Sequence, residues 1–227
     1  VVTGVQTCAL PIWRGENTQR GRYREFTQCD FDIVGTDSLS ADFEILLMMY
    51  RSFEALGISD ITIKLNHRGI FNHFLEKHSI KEKSTEIMRA IDKLAKVGAE
   101  EVRSLLEAEV GTDIADKILT YIQPKESFYE TLEMITELSG GESDESRRMY
   151  ALHEGFKALG IQDRFVLDSS IMRGLDYYTG IVYETFFDEL PEIGSVCSGG
   201  RYNDLASLYT KTHLPGVGSS IGLDRLM

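Results

Sequence analysis

The chain has 227 residues, 42% of them hydrophobic, and carries 24 lysines and arginines against 36 aspartates and glutamates, for a formal net charge of −12. A core of that size excludes a disordered chain. The lack of any apolar run near the roughly 18 residues that cross a bilayer excludes a membrane span. The negative charge excludes a domain that grips nucleic acid by bulk electrostatics, so any RNA contact is local or made elsewhere. Three scattered cysteines (Cys8, Cys29, Cys197) form neither a disulfide framework nor a C-x-x-C metal pair and fit a reducing compartment, and no two of the five histidines are spaced i,i+4, so no protein-bound zinc is expected.

The chain opens without methionine at "VVTGVQTCALPI". Val2 to Ile12 resembles the translation of a common sequencing adapter, so residues 1–12 are set aside from fold reasoning as a non-native scar. Trp13 to Val34 predicts a hairpin: "WRGE", a polar loop "NTQRG", then "RYREFTQCDFDIV" as a long strand. Side chains two apart share a face of a strand. Arg22, Phe26, Gln28 and Asp32 therefore line one side with binding groups, and Tyr23, Thr27, Cys29, Phe31 and Ile33 line a core side.

Ser40 is the expected cap of a helix with Asp42 and Glu44 in its first turn, Ile45, Leu46, Met49, Phe53 and Leu56 on one face, and Gly57 at its end. "ITIKLN" predicts a buried strand and "GIFNHFLEKH" a short helix. From about Ser79 to Gly160 the sequence turns to charged, helix-periodic texture, with a glycine joint "LSGGESDES" near its far end. Strand texture returns in "RFVLD", "RGLDYYTGIVYETFF" and "GSVCSGGRYNDL", and "GVGSSIGLDRLM" predicts a strand feeding a helix. Strands on both sides of a helical stretch predict one α+β domain, a mainly antiparallel sheet flanked by helices and interrupted by a helical insertion. The expected division is a first part of the core at 13–78, the insertion at 79–160 and a second part at 161–227. The stop at Met227 without a helix stop signal predicts a fragment cut at both sides.

Arg14, Arg20, Arg22 and Arg24 crowd one hairpin of an acidic chain, and a guanidinium fork suits phosphate oxygens; a solvated basic hairpin accounts for the same residues. No P-loop or G-x-G-x-x-G followed by a helix is present. In order, however, "RGE", "RGRYREFTQCDFDIVG", "RGLDYYTGIVYE", "CSGGRYNDL" and "GVGSSIGLDRL" resemble the signatures of the histidyl-tRNA synthetases. The first two resemble class II synthetase motif 2, "RGLDYY" resembles the histidine-specific motif, and the last resembles motif 3. The resemblance covers about Trp13 to Met227 and is loosest in the helical middle.

The resemblance implies the class II synthetase fold, ATP-dependent activation of histidine, transfer to tRNA(His), and a cytoplasmic homodimer for the full-length protein. It implies that Arg14 clamps the α-phosphate of ATP and the amino-acid carboxylate, that Arg173 is catalytic at the α-phosphate and belongs also to the histidine site, that Glu16 faces the adenine amino group, that Arg22 holds the γ-phosphate, that Phe26 stacks on adenine, and that Arg225 covers the nucleotide's other side. For histidine it implies Gln28 at the α-amino group, Asp32 and Tyr178 at the imidazole nitrogens, Tyr177 at the pocket wall, and the backbone of Gly199 and Gly200 close to the ligand. A tight turn explains those two glycines equally well. In a regular strand Tyr177 and Tyr178 point to opposite faces, so both line one pocket only where the backbone kinks. Mg²⁺ is implied with ATP, with ligands that the residues do not identify. The competing expectations are a histidine-binding paralogue like the regulatory subunit of ATP phosphoribosyltransferase, which would lose the nucleotide clamp, and a synthetase-like module sensing uncharged tRNA. Residues 13–227 alone are expected to be inactive.

Overall fold

The computed structural model describes residues 8–15, 17, 18, 21, 23–172 and 177–227. In chain order the elements are β1 (Cys8–Trp13), β2 (Glu25–Val34), α1 (Leu39–Ala55), β3 (Ile61–His67), α2 (Arg68–Lys77), α3 (Ser84–Ile91), α4 (Leu94–Val97), α5 (Ala99–Val110), α6 (Thr112–Tyr121), α7 (Phe128–Leu138), α8 (Asp144–Ala158), β4 (Phe165–Leu167), β5 (Ile181–Phe187), β6 (Cys197–Arg201), β7 (Gly216–Gly222) and α9 (Leu223–Leu226). The strands follow one another in the order β1-β2-β7-β6-β5-β3-β4. The pairs β1/β2, β2/β7, β6/β7 and β5/β6 are antiparallel, as the α+β reading expects. Two compact units emerge, Val1–Lys64 with Asp176–Met227, and Leu65–Leu175. The helix-rich unit is thus longer at both ends than the stretch of helical texture at 79–160.

In the first unit β1 and β2 form the expected hairpin, with Trp13 opposite Glu25 and the Arg14 N–H donating to Arg24 O at 2.9 Å. The loop is longer than "NTQRG" and takes in Tyr23 and Arg24, so the strand's alternation begins only at Glu25. Residues 8–12, set aside above, form an edge strand beside β2. Ladder bonds are made by main chain whatever the side chains, and an edge tolerates Pro11.

Register partners in antiparallel strands point to the same face. One row runs Tyr183, Gly199, Ser219, Phe31 and a second Thr185, Cys197, Ile221, Cys29. This is the core face: Phe31, Tyr183, Thr185, Cys197 and Ser219 are buried. Helix α1 covers it, with the Met49 sulfur 3.4 Å from Thr185 Oγ1 and 3.6 Å from Ser219 Oγ. Ile45, Leu46, Met49 and Phe53 are fully buried, each contributing about 1.5–3 kcal/mol of apolar burial. The helix departs from expectation at its ends. Ser38, not Ser40, is the cap, its hydroxyl accepting from the Ser40 N–H, because the extended backbone that a cap needs falls two residues earlier. Leu56 follows the last turn and is 62% exposed.

Asp42, in the first turn of α1, is fully buried beside Arg201, which is 2% exposed. Arg201 donates from Nε and Nη2 to Asp42 Oδ1 at 2.8 and 2.6 Å, and from Nη1 to Thr36 O and Asn203 Oδ1 at 3.0 Å each. The carbonyl of Arg201 accepts from the Thr179 N–H at 2.8 Å. Through its side chain Arg201 thus ties α1 to the turn after β2, and through its carbonyl it holds the segment before β5.

The second unit is helical. Phe71, Phe74 and Tyr121 pack with ring centroids 5.0–5.8 Å apart, while Ile87, Ile91, Val102 and Leu106 are buried on α3 and α5. Ser127 with Glu130 and Ser143 with Ser146 form capping boxes that start α7 and α8. The Asn66 amide donates to Ser169 O and Ile171 O at 3.2 and 3.0 Å, and Arg68 Nη2 to Met172 O at 3.2 Å. These bonds fix the segment that leads to Arg173.

Removing one partner of a buried ion pair strands the other charge. Asp42→Ala is therefore expected to lower the unfolding free energy by about 3 kcal/mol, read by chemical denaturation, and Asp42→Ala with Arg201→Met to cost less than Asp42→Ala alone.

Candidate functional site

On the face opposite α1 the register rows are Val182, Gly200, Gly218, Asp32, then Glu184, Ser198, Ser220, Asp30, with Gly222 beside Gln28. Phe26 lies one step further along the same side of β2. The predicted grouping of Phe26, Gln28 and Asp32 on one strand face is what the structure has, and the row also holds Asp30. Gly200 and Gly218 leave this row without side chains in its middle, and the gap is filled by Asp32 from the row itself and by Tyr178 from the segment before β5. A Cβ on Gly218 would lie 1.7 Å from Asp32 Oδ1, and one on Gly200 would lie 2.9 Å from the Tyr178 ring and 2.6 Å from Ile181 O. Asp32 and Tyr178 thus lean over two adjacent bare positions of the sheet.

Gly199 serves the other face. Its absent Cβ would meet Gly218 O at 2.1 Å and the Tyr183 ring at 2.7 Å, and the Tyr183 hydroxyl donates to Gly218 O at 2.6 Å. Neither Gly199 nor Gly200 lies in a turn; both are inside β6. The tight-turn reading of "SGG" therefore gives way to close packing on both faces of one strand.

Tyr177 and Tyr178 precede β5, where the backbone is not yet a strand. Their alternation is lost and their rings lie together, centroids 4.8 Å apart. Tyr177 also meets the ring of Tyr202 edge-on at 6.0 Å and 87°. The Tyr202 hydroxyl donates to Asp32 Oδ1. Burial pushes the Asp32 carboxyl up from its ordinary value, the Tyr202 hydrogen bond opposes this, and neighbouring Asp30 adds to the rise. Burial and the bond to Asp32 both push the Tyr202 phenol up, so it stays a neutral donor. Burial raises Tyr177 as well.

At the hairpin end the Arg14 guanidinium sits over the Phe26 ring, 5.0 Å from its centroid. Asp224 accepts from the Thr27 N–H at 2.6 Å and so fastens α9 to β2. Arg225 Nε donates to Gly21 O at 3.0 Å and Nη1 to Ser195 O, which places it against the hairpin loop. Glu16, Arg22 and Arg173 lie outside the described residues.

Tyr202, Gly218, Asp30 and Asp224 join the site without having been singled out from the sequence. For Gly218 a signal existed: "GVGSS" puts a glycine in a strand interior, which marks close approach. Among the described residues no group of three or more His, Cys, Asp or Glu is placed to hold a metal ion.

A mostly antiparallel sheet with a helix packed on one face and a glycine-floored polar row on the other is the α+β architecture of the class II synthetases that the chain matches. The chain belongs to the histidyl-tRNA synthetase family, whose model, described as "Histidyl-tRNA synthetase", matches residues 8–226. It is 50% identical over 222 residues to the histidine–tRNA ligase of Treponema denticola, across 95% of this chain and 50% of that protein. A crystal structure of histidyl-tRNA synthetase from a Nostoc species superposes with a TM-score of 0.88 at 32% identity, covering 100% of this chain and 54% of that one. A Bacillus halodurans structure titled an ATP phosphoribosyltransferase regulatory subunit/histidyl-tRNA synthetase shares the fold, with a TM-score of 0.80 at 21% identity, covering 97% of this chain and 56% of that one. The chain spans about half the length of the curated relatives it matches.

A carboxyl whose native value is raised holds its proton more tightly folded than unfolded, so the stability it contributes at low pH is lost as pH rises past its unfolded value. Asp32→Asn is therefore expected to be more stable than the parent at neutral pH, with the difference vanishing below the ordinary value of 3.8. Denaturation midpoints measured across pH check this; a difference that grows toward acid pH contradicts the described environment.

Proposed function

We propose that the chain is the catalytic part of an enzyme that joins histidine to ATP as histidyl-adenylate and transfers the histidyl group to tRNA(His). The observation that carries this reading is the convergence of Asp32, Tyr202, Tyr177 and Tyr178 above the glycine floor of β6 and β7. A neutral imidazole has one donor and one acceptor nitrogen. Asp32 takes its N–H, and the Tyr178 phenol satisfies the other nitrogen. Tyr177 walls the pocket, Gln28 meets the α-amino group, and the bare backbone at Gly199 and Gly200 allows the ligand to lie close. A site that bonds both ring nitrogens leaves its own polar groups unpaired with an apolar amino acid, which is how it rejects one.

The nucleotide lies toward the hairpin. Phe26 stacks on adenine, Glu16 meets its amino group, and Arg14, beside Phe26, reaches the α-phosphate. Arg22 holds the γ-phosphate. The bonds of Arg225 to Gly21 and Ser195 support a first role in holding the hairpin loop; covering the nucleotide requires exchanging one of them. From Phe26 to Asp32 the strand runs roughly 20 Å at about 3.3 Å per residue, room for a nucleotide and an amino acid end to end. In the reaction a histidine carboxylate oxygen attacks the α-phosphorus, the bond to the bridging oxygen breaks, and pyrophosphate leaves with the electron pair. Arg14 and Arg173 hold the non-bridging oxygens, so the protein's part is alignment and charge stabilisation. Mg²⁺ with the ATP would neutralise phosphate charge, its ligands mainly phosphate oxygens and water together with one or two carboxylates.

A full-length homodimer in the cytoplasm belongs to the same proposal. No described helix is long and apolar enough to cross a membrane. Histidine-dependent ATP–pyrophosphate exchange by the full-length protein is the test. With it, Asp32→Ala and Tyr178→Phe are expected to raise the KM for histidine about tenfold or more, near 1.4 kcal/mol or above, and to leave the KM for ATP within about twofold. Histidine binding without exchange would favour the regulatory paralogue instead.

A further inference from the structure

We infer that Tyr202 is a specificity-positioning residue, whose hydroxyl holds the Asp32 carboxylate in the one orientation that presents its second oxygen to an imidazole N–H. The inference rests on the histidine reading above and deepens it, because it concerns what aims the recognising group.

Three features fix the Tyr202 ring. Its backbone N–H donates to Gly216 O at 2.7 Å. The ring lies flush on Gly216, where a Cβ would meet Cε2 at 2.3 Å. Its other side meets Tyr177 edge-on. A phenol held on two sides and at its own backbone has little freedom, so its hydroxyl is a fixed point in space. That fixed point donates to Oδ1 of Asp32, 170 residues away in sequence.

The geometry solves a problem Asp32 has by itself. Its carboxyl is short and hangs over Gly218, which offers no side chain to rest against. Free rotation about its terminal torsion would let either oxygen face the ligand at any tilt. Tyr202 occupies Oδ1, so Oδ2 is the oxygen left for the ligand, and its lone pairs point in a set direction. Burial and the nearby Asp30 both favour the protonated acid, which would turn an acceptor into a donor, and the Tyr202 hydrogen bond works against that. A ring that merely filled space would do neither, and phenylalanine would serve as well.

The test is histidine-dependent ATP–pyrophosphate exchange by the full-length protein and its variants. Exchange by the parent is the prior condition, and its absence sinks the histidine reading itself rather than the role of Tyr202. Given exchange, Tyr202→Phe is expected to raise the KM for histidine about tenfold, with the KM for ATP and kcat within about twofold. In an Asp32→Asn background the same change is expected to have little further effect, since the group it aims is gone. Gly216→Ala, which lifts the ring while leaving the hydroxyl chemistry intact, is expected to reproduce the histidine-selective rise and guards against a folding defect in Tyr202→Phe. An unchanged histidine KM in both Tyr202→Phe and Gly216→Ala, an equal rise for both substrates, or an undiminished effect in the Asp32→Asn background overturns the inference.

Discussion

Gly200 and Gly218 face each other across β6 and β7, and the volume their missing side chains leave is where Tyr178 and Asp32 lie. Interior strand glycines weaken a sheet by roughly 0.5–1 kcal/mol each relative to alanine, so an arrangement with Gly199, Gly200 and Gly218 clustered in two strands is costly unless something offsets it. The offset is on the opposite face, where α1 seats Ile45, Leu46, Met49 and Phe53 against the sheet. A strip of backbone packed from one side and bare of side chains on the other is what allows an aspartate and a tyrosine to approach main chain closely.

Local pattern made much of this legible. The alternation in "EFTQCDFDIV" put Phe26, Gln28 and Asp32 together, and the helical spacing of Ile45, Leu46, Met49 and Phe53 identified the buried side of α1. Both signals depend only on a repeat within ten to seventeen residues. Where the repeat stops, reading by period fails. Leu56 fits the helical spacing of the core face, yet it follows the last turn and is exposed. The adjacent tyrosines come together for the same reason, since they sit before β5 and not in it.

Pairings across long stretches of chain left no such signal. Asp32 with Tyr202 spans 170 residues, Asp42 with Arg201 spans 159, and Thr27 with Asp224 spans 197. Each joins a residue of the first sequence segment of the unit to one from the second, so each depends on how β2 and β6 come to flank β7. Asp42 illustrates the difficulty: in a first helical turn an aspartate is most simply an exposed partner of the helix dipole, yet here it is fully buried against a guanidinium.

Arg201 ends β6 and Tyr202 follows it, but the Tyr202 N–H still bonds Gly216 O, so the alternation runs one residue further and the two side chains take opposite faces. Arg201 goes to the core side, where it binds Asp42 and, through its carbonyl, the Thr179 N–H just after the two tyrosines. Tyr202 goes to the polar side, where it holds Asp32 and touches Tyr177. The end of β6 is therefore the point at which the anchoring of the fold and the aiming of the site share one backbone. A shift of that strand end by one residue would exchange the two faces and place a guanidinium over the glycine floor. The buried ion pair forbids that shift, because it would strand Asp42 without its partner. A charge pair on the core face thereby sets the register that the polar face needs.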